Sequence, residues 1–124
     1  MDNYRLYLRL EGLPQRINQN GRKHWAVKAK EARFWRSLVE SKVTLSMRPK
    51  YPLKQAKLKV TRHSSNCPDF DGLVSSFKHV IDGLMDASVI EDDNFGVIGM
   101  PEFCWVKAAR GAGFIEIEVW GLPP

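Results

Sequence analysis

Asp69 and Asp71 stand two positions apart, and a second acidic pair, Asp92 and Asp93, closes the same stretch of chain. Carboxylates brought within a few ångströms of one another repel unless a divalent cation occupies the space between them. A site built only from oxygen ligands suits Mg²⁺ or Mn²⁺ rather than zinc. Held this way, the ion orients a water, lowers its pKa and neutralises charge on a scissile phosphate. Lys78 and Asp82 follow Asp71 by seven and eleven positions. On a continuous helix those offsets place all three within about 20° of one line. Leu73, Phe77, Val80 or Ile81, and Leu84 recur at helical spacing and line the opposite side. From that row Lys78 could stabilise the pentavalent phosphate or the leaving oxygen. His63 is a weaker candidate for a phosphate contact, and His79 points roughly 100° away from Lys78.

Each of these residues also has a purely structural account. Asp71 is a sound cap for the orphan N–H groups of a helix start. Asp82 in mid-helix needs a partner, and Lys78 four residues earlier supplies one, worth roughly 0.2–0.5 kcal/mol at a surface. Neither account absorbs both members of the first pair together with the second pair.

Charge is divided unevenly along the chain. Residues 1–62 hold 16 Lys or Arg against 4 Asp or Glu, whereas residues 63–124 hold 3 against 10. A domain folded from these halves sets an acidic constellation against a basic surround, as a phosphodiester hydrolase requires. The alternative is two solvated sets with no joint purpose. Cys67 and Cys104 form no CxxC motif, which favours a reduced, intracellular, cytoplasmic protein with two inert thiols. No stretch approaches 18 consecutive apolar residues, and residues 1–10 lack the apolar run of a signal peptide, so no membrane partner is expected.

The elements that must position these groups are legible from periodicity. Residues 4–10 alternate as a first strand. Residues 15–23 read as a polar loop carrying Arg16, Arg22 and Lys23, either a phosphate-contacting arm or a solvated connection. A helix is predicted over residues 27–42, with Lys28, Lys30, Arg33 and Arg36 on its surface. Its aromatic residues Phe34 and Trp35, with Trp25 just ahead, suit core packing better than base stacking. Two prolines make residues 44–55 irregular. Residues 56–62 alternate as a strand with Ala56, Leu58 and Val60 inward. The central helix then leads to a brief strand over residues 95–100. A hairpin of residues 104–108 and 114–120 turns around Gly111 and Gly113. The 124 residues suffice for one domain, 1–124, of α+β class, with a mixed β-sheet covered by two helices.

Taken together, these motifs resemble the RusA family of Holliday-junction resolvases, endodeoxyribonucleases of phages and prophages. The resemblance is carried by Asp69-Phe70-Asp71-Gly72-Leu73, then Lys78, Asp82 and Leu84, then Asp92-Asp93. It extends to Gly12-Leu13-Pro14, Asn18, Gly21-Arg22 and His24-Trp25 near the start and to residues 110–117 near the end. The family's Asn after the second aspartate is Gly72 here, and Lys78 stands seven rather than four positions beyond Asp71. The resemblance implies a RusA-like fold and a Mg²⁺-dependent homodimer, Mn²⁺ substituting, that binds branched DNA and resolves four-way junctions by paired symmetric nicks. It assigns Asp69, Asp71 and Asp93 to the metal and Lys78 to catalysis, with Asp92 as fallback for Asp93. The alternatives are a nuclease acting on other branched or forked DNA, and a catalytically inactive branched-DNA-binding module.

Overall fold

A computed structural model describes residues 3–14 and 25–123. The polar segment 15–23, with Arg16, Arg22 and Lys23, lies outside the described residues, as do Asn18, Gly21 and His24. Four strands build one mixed sheet: β1 (Arg5–Glu11), β2 (Ala56–Ser64), β3 (Glu102–Lys107) and β4 (Phe114–Gly121), in the spatial order β1-β4-β2-β3. The helices are α1 (Trp25–Lys42), α2 (Phe70–Ser76), α3 (Lys78–Asp86) and the single turn α4 (Phe95–Ile98). The α+β class and the mixed sheet agree with the sequence reading.

Alternation along each strand decides which face of the sheet is covered. Leu6, Leu8 and Leu10 of β1, Ala56, Leu58 and Val60 of β2, and Ile115, Ile117 and Val119 of β4 are all buried on one side. Trp35 and Val39 of α1 and Val80, Ile81 and Leu84 of α3 close over them. Among the described residues no helix covers the opposite face, which carries Tyr7, Lys57, His63 and Glu116.

Helices α1 and α3 touch at Gly83, where an added Cβ would lie 2.7 Å from Val39 Cβ and 3.2 Å from the Arg36 carbonyl oxygen. Arg36 clasps Asp86 through Nε and a terminal nitrogen, both at 2.8 Å, along the same seam. Helix propensity alone would have Gly83→Ala stabilise the protein by about 1 kcal/mol. The close approach reverses that sign. We expect the substitution to cost about 1–3 kcal/mol in urea unfolding, because Val39 and the α1 backbone must shift.

Four local expectations give way to tertiary structure. The hairpin does not form, because β2 lies between the two strands: β3 pairs with β2 in parallel and β4 pairs with it antiparallel. The connecting loop crosses the end of β2, where Ala108 N–H donates to the Ser64 carbonyl at 3.0 Å. Residues 95–98 are a helical turn rather than a strand, since the Asn94 side chain caps Val97 N–H at 3.1 Å and Gly99, at φ +58°, stops it. Of the three aromatics at α1 only Trp35 enters the core; Trp25 and Phe34 are 75% and 56% exposed. The fourth change, to the central helix, bears on the site itself.

Candidate functional site

The central helix is two helices. Ser75 Oγ donates to the Gly72 carbonyl at 3.3 Å and Ser76 Oγ to the Leu73 carbonyl at 2.8 Å. Serine hydroxyls that bind back to the preceding turn compete with the regular backbone ladder. Phe77 N–H accordingly reaches the Val74 carbonyl, one residue short of helical pairing, and Phe77 sits at φ −99°, ψ 1°. Its ring is fully buried and lies 6.4 Å from the Phe103 ring of β3. The apolar stripe of Leu73, Phe77, Val80, Ile81 and Leu84 is buried as the periodicity requires. The single polar row does not survive, because Asp71 belongs to α2 whereas Lys78 and Asp82 belong to α3.

Asp69, not Asp71, caps α2. Its Oδ1 accepts the Gly72 N–H at 2.8 Å, and its backbone is extended, as a cap requires. Asp71 is exposed in the first turn, and among the described residues no hydrogen bond or ion pair engages its carboxylate. The two members of the pair therefore separate in a stability measurement. Asp69→Ala should lower stability by about 1 kcal/mol in thermal or urea unfolding, while Asp71→Ala should leave it nearly unchanged. The reverse order would mean that Asp71 holds the helix start.

Lys78 opens α3, its side chain 57% exposed, with Nζ 3.8 Å from Asp82 Oδ2. His79 Nδ1 lies 3.9 Å from the same oxygen, so Asp82 is occupied by its own helix and is mostly buried there. Asp92 is likewise engaged locally: it accepts the Asp93 N–H at 2.7 Å and the Asn94 side-chain amide at 3.1 Å. The Asp93 carboxylate is exposed and makes no such bond among the described residues.

The crossover from β2 to β3 determines where these groups stand relative to one another. Asp69 and Asp71 follow the last residue of β2, beside the end of β3, where Lys107 Nζ donates to the Ser65 carbonyl at 3.2 Å. Asp92 and Asp93 follow Ile90, which bridges Leu53 ahead of the first residue of β2. Nine strand residues lie between, a span of roughly 25–30 Å. The two acidic pairs thus occupy opposite ends of the sheet in one chain. Among the described residues no three His, Cys, Asp or Glu side chains gather at metal-holding distance.

His63, a candidate for phosphate contact, points to the uncovered face of the sheet. There it stacks on Phe114, with centroids 4.0 Å apart, and its Nε2 hydrogen-bonds Glu116. The Tyr7 hydroxyl donates to the same carboxylate at 2.6 Å, and Arg9 lies 3.6 Å over the Phe114 ring. The Tyr7 hydroxyl and, after it, His63 hold the Glu116 carboxyl below the usual carboxylate range. This arrangement joins residues more than fifty positions apart, and only the β1–β4–β2 register reveals it. Arg62 was also missed. It is buried and donates to the Pro14 carbonyl at 2.7 Å, fastening the end of the first strand's exit to β2.

No protein-family model matches the chain, and no curated protein matches it in sequence. Among the described residues no helix is long and apolar enough to cross a membrane.

Proposed function

We propose that the chain is one subunit of a cytoplasmic, homodimeric, Mg²⁺-dependent endonuclease that resolves four-way DNA junctions by paired symmetric nicks. The observation that carries this reading is the placement of two acidic pairs at opposite ends of one crossover, with the carboxylates of Asp71 and Asp93 unengaged among the described residues. A twofold axis across the crossover sets the Asp69–Asp71 end of one subunit against the Asp92–Asp93 end of its partner, and does so twice. Two equivalent sites result, which is what opposed nicks in a symmetric junction need. The resemblance of the motif set to the RusA pattern supports the same reading, as does the basic first half of the chain.

The donor set fits the metal in kind. Asp69 retains Oδ2 after capping Gly72, and Asp71 and Asp93 are exposed oxygen donors with no thiol or imidazole among them. Asp69 and Asp71 of one subunit and Asp93 of the other would hold Mg²⁺, or Mn²⁺ in its place. Once bound, the ion neutralises charge on the scissile phosphate and activates the attacking water. Lys78 offers an exposed ammonium, loosely restrained by Asp82, to the leaving oxygen. The cations of α1 hold backbone phosphates away from the reacting bond. Cleavage of a synthetic four-way junction in Mg²⁺, compared with linear and forked duplexes, tests the activity and the substrate together. Preference for forks would reassign the substrate, and binding without any cutting would reject the nuclease.

A further inference from the structure

A cleft of about 790 Å³ lies at the end of the sheet where β2 begins. Its walls are the irregular segment 48–55 on one side and Asn3, Tyr4 and residues 121–123 on the other. Both walls are fastened. Leu53 N–H donates to the Val89 carbonyl at 2.9 Å, Leu122 N–H donates to the Gln55 carbonyl at 2.9 Å, and the Tyr4 hydroxyl donates to the Met47 carbonyl at 2.7 Å. Pro49 and Pro52 stiffen the segment between these ties.

Among the described residues the lining has one sign of charge: Arg48, Lys50 and Lys54 face the cleft, and no Asp or Glu does. Beside them Tyr51 is 73% exposed, and Lys50 Nζ lies 5.7 Å from its ring centroid. Cations that track a phosphate backbone, with an exposed ring on which a base can stack, are the combination that single-stranded nucleic acid sites use. The cleft also adjoins the second acidic pair. Glu91 N–H donates to the Leu53 carbonyl at 3.0 Å and Gln55 Nε2 to the Gly96 carbonyl at 2.6 Å, so the loop carrying Asp92 and Asp93 is pinned to the cleft on both sides.

We propose that this cleft takes one or two unpaired nucleotides of DNA, with phosphates on Lys50 and Lys54 and a base against Tyr51. The proposal rests on the nuclease reading to the extent that it gives the strand a role: a nucleotide seated here lies next to Asp93. An acidic peptide would satisfy the cations but leave the exposed ring without a purpose.

Anisotropy titrations of the full chain with a labelled oligothymidylate and with a labelled four-way junction test it. For the oligonucleotide, Lys50→Ala/Lys54→Ala should weaken binding about tenfold and make the log–log salt slope shallower by about 1.4, or 0.7 per lost phosphate contact. Tyr51→Ala should weaken binding at least fivefold, roughly the low end of one base stack, while Tyr51→Phe should bind as the parent does. All three positions are exposed on the segment's surface, so the variants are expected to fold, which circular dichroism checks. Unchanged oligonucleotide affinity in the variants overturns the cleft, as does Tyr51→Phe binding as weakly as Tyr51→Ala, or polyglutamate competing as well as the oligonucleotide. A parent protein that binds the junction but not the oligonucleotide overturns the cleft and leaves the nuclease reading standing. One that binds neither overturns both.

Discussion

Equal mixtures of Asp71→Asn and Asp93→Asn subunits are expected to nick a four-way junction, although neither variant does so alone. Each substitution removes one oxygen charge from the metal set, and each variant by itself has the defect in both sites. Loss of several kcal/mol of charge stabilisation corresponds to at least about a hundredfold loss of rate. Junction binding should persist or tighten, because a negative charge near phosphate is gone. The mixture differs because of the crossover geometry. If Asp71 of one subunit works with Asp93 of its partner, a mixed dimer concentrates both defects in one site and leaves the other whole. Half of the dimers in an equal mixture are mixed, so about a quarter of the parental sites should return. They should nick one strand instead of resolving the junction. Sites built within single subunits would each carry one defect, and mixing would restore nothing. Co-refolded mixtures, with mixed dimers confirmed by mass spectrometry, make the comparison on a plasmid-borne or synthetic junction. Verified mixed dimers that stay inactive would sink the shared site.

The largest stability effect is expected at Phe77. Its ring is fully buried where α2 meets α3, packed toward Phe103 of β3. Truncation to Ala removes the transfer free energy of the ring and leaves a cavity that two short helices and a strand cannot fully collapse. That should cost about 3–5 kcal/mol, against a typical total of about 5–15 kcal/mol for a domain. Urea midpoints measure it, and Phe77→Leu should lose only a part. A loss under about 1 kcal/mol would contradict the packing account of the helix break. Because Phe77 also joins the segment bearing Asp71 to the one bearing Lys78, the Ala variant should lose junction cleavage at temperatures where its fold still persists.

Local rules carried a long way in this chain. Alternation in residues 4–10 gave the first strand, and in residues 56–62 it named Ala56, Leu58 and Val60 as inward, since side-chain direction in a strand depends only on position parity. Helical spacing named Leu73, Phe77, Val80 and Leu84 as core. The Asp69–Asp71 pair stands at a helix start as read, but the cap expected of Asp71 is made by Asp69, whose position just ahead of the first turn lets Oδ1 reach the Gly72 N–H. Lys78 and Asp82 are neighbours, as four-residue spacing on a helix demands.

What local rules missed has a common origin. Gly111 and Gly113 supply turn chemistry that fits a hairpin, yet whether two flanking strands pair depends on a third strand far away in sequence. The break at Phe77 follows from serine hydroxyls competing for two carbonyls together with a ring seated against β3. Periodicity across seven residues could not register it, because both half-helices keep their apolar sides inward.

The sequence by itself determined which residues are acidic, basic or apolar, which of them alternate, and hence the strands, the helices and the chemistry that Asp69, Asp71, Asp92 and Asp93 could support. Only the tertiary structure decided that the two acidic pairs lie at opposite ends of the sheet, since a parallel crossover returns the chain along the full length of β2 before β3 can begin. Pairing between distant strands is a nonlocal choice, and the distance between two motifs is fixed by that choice rather than by anything within either motif.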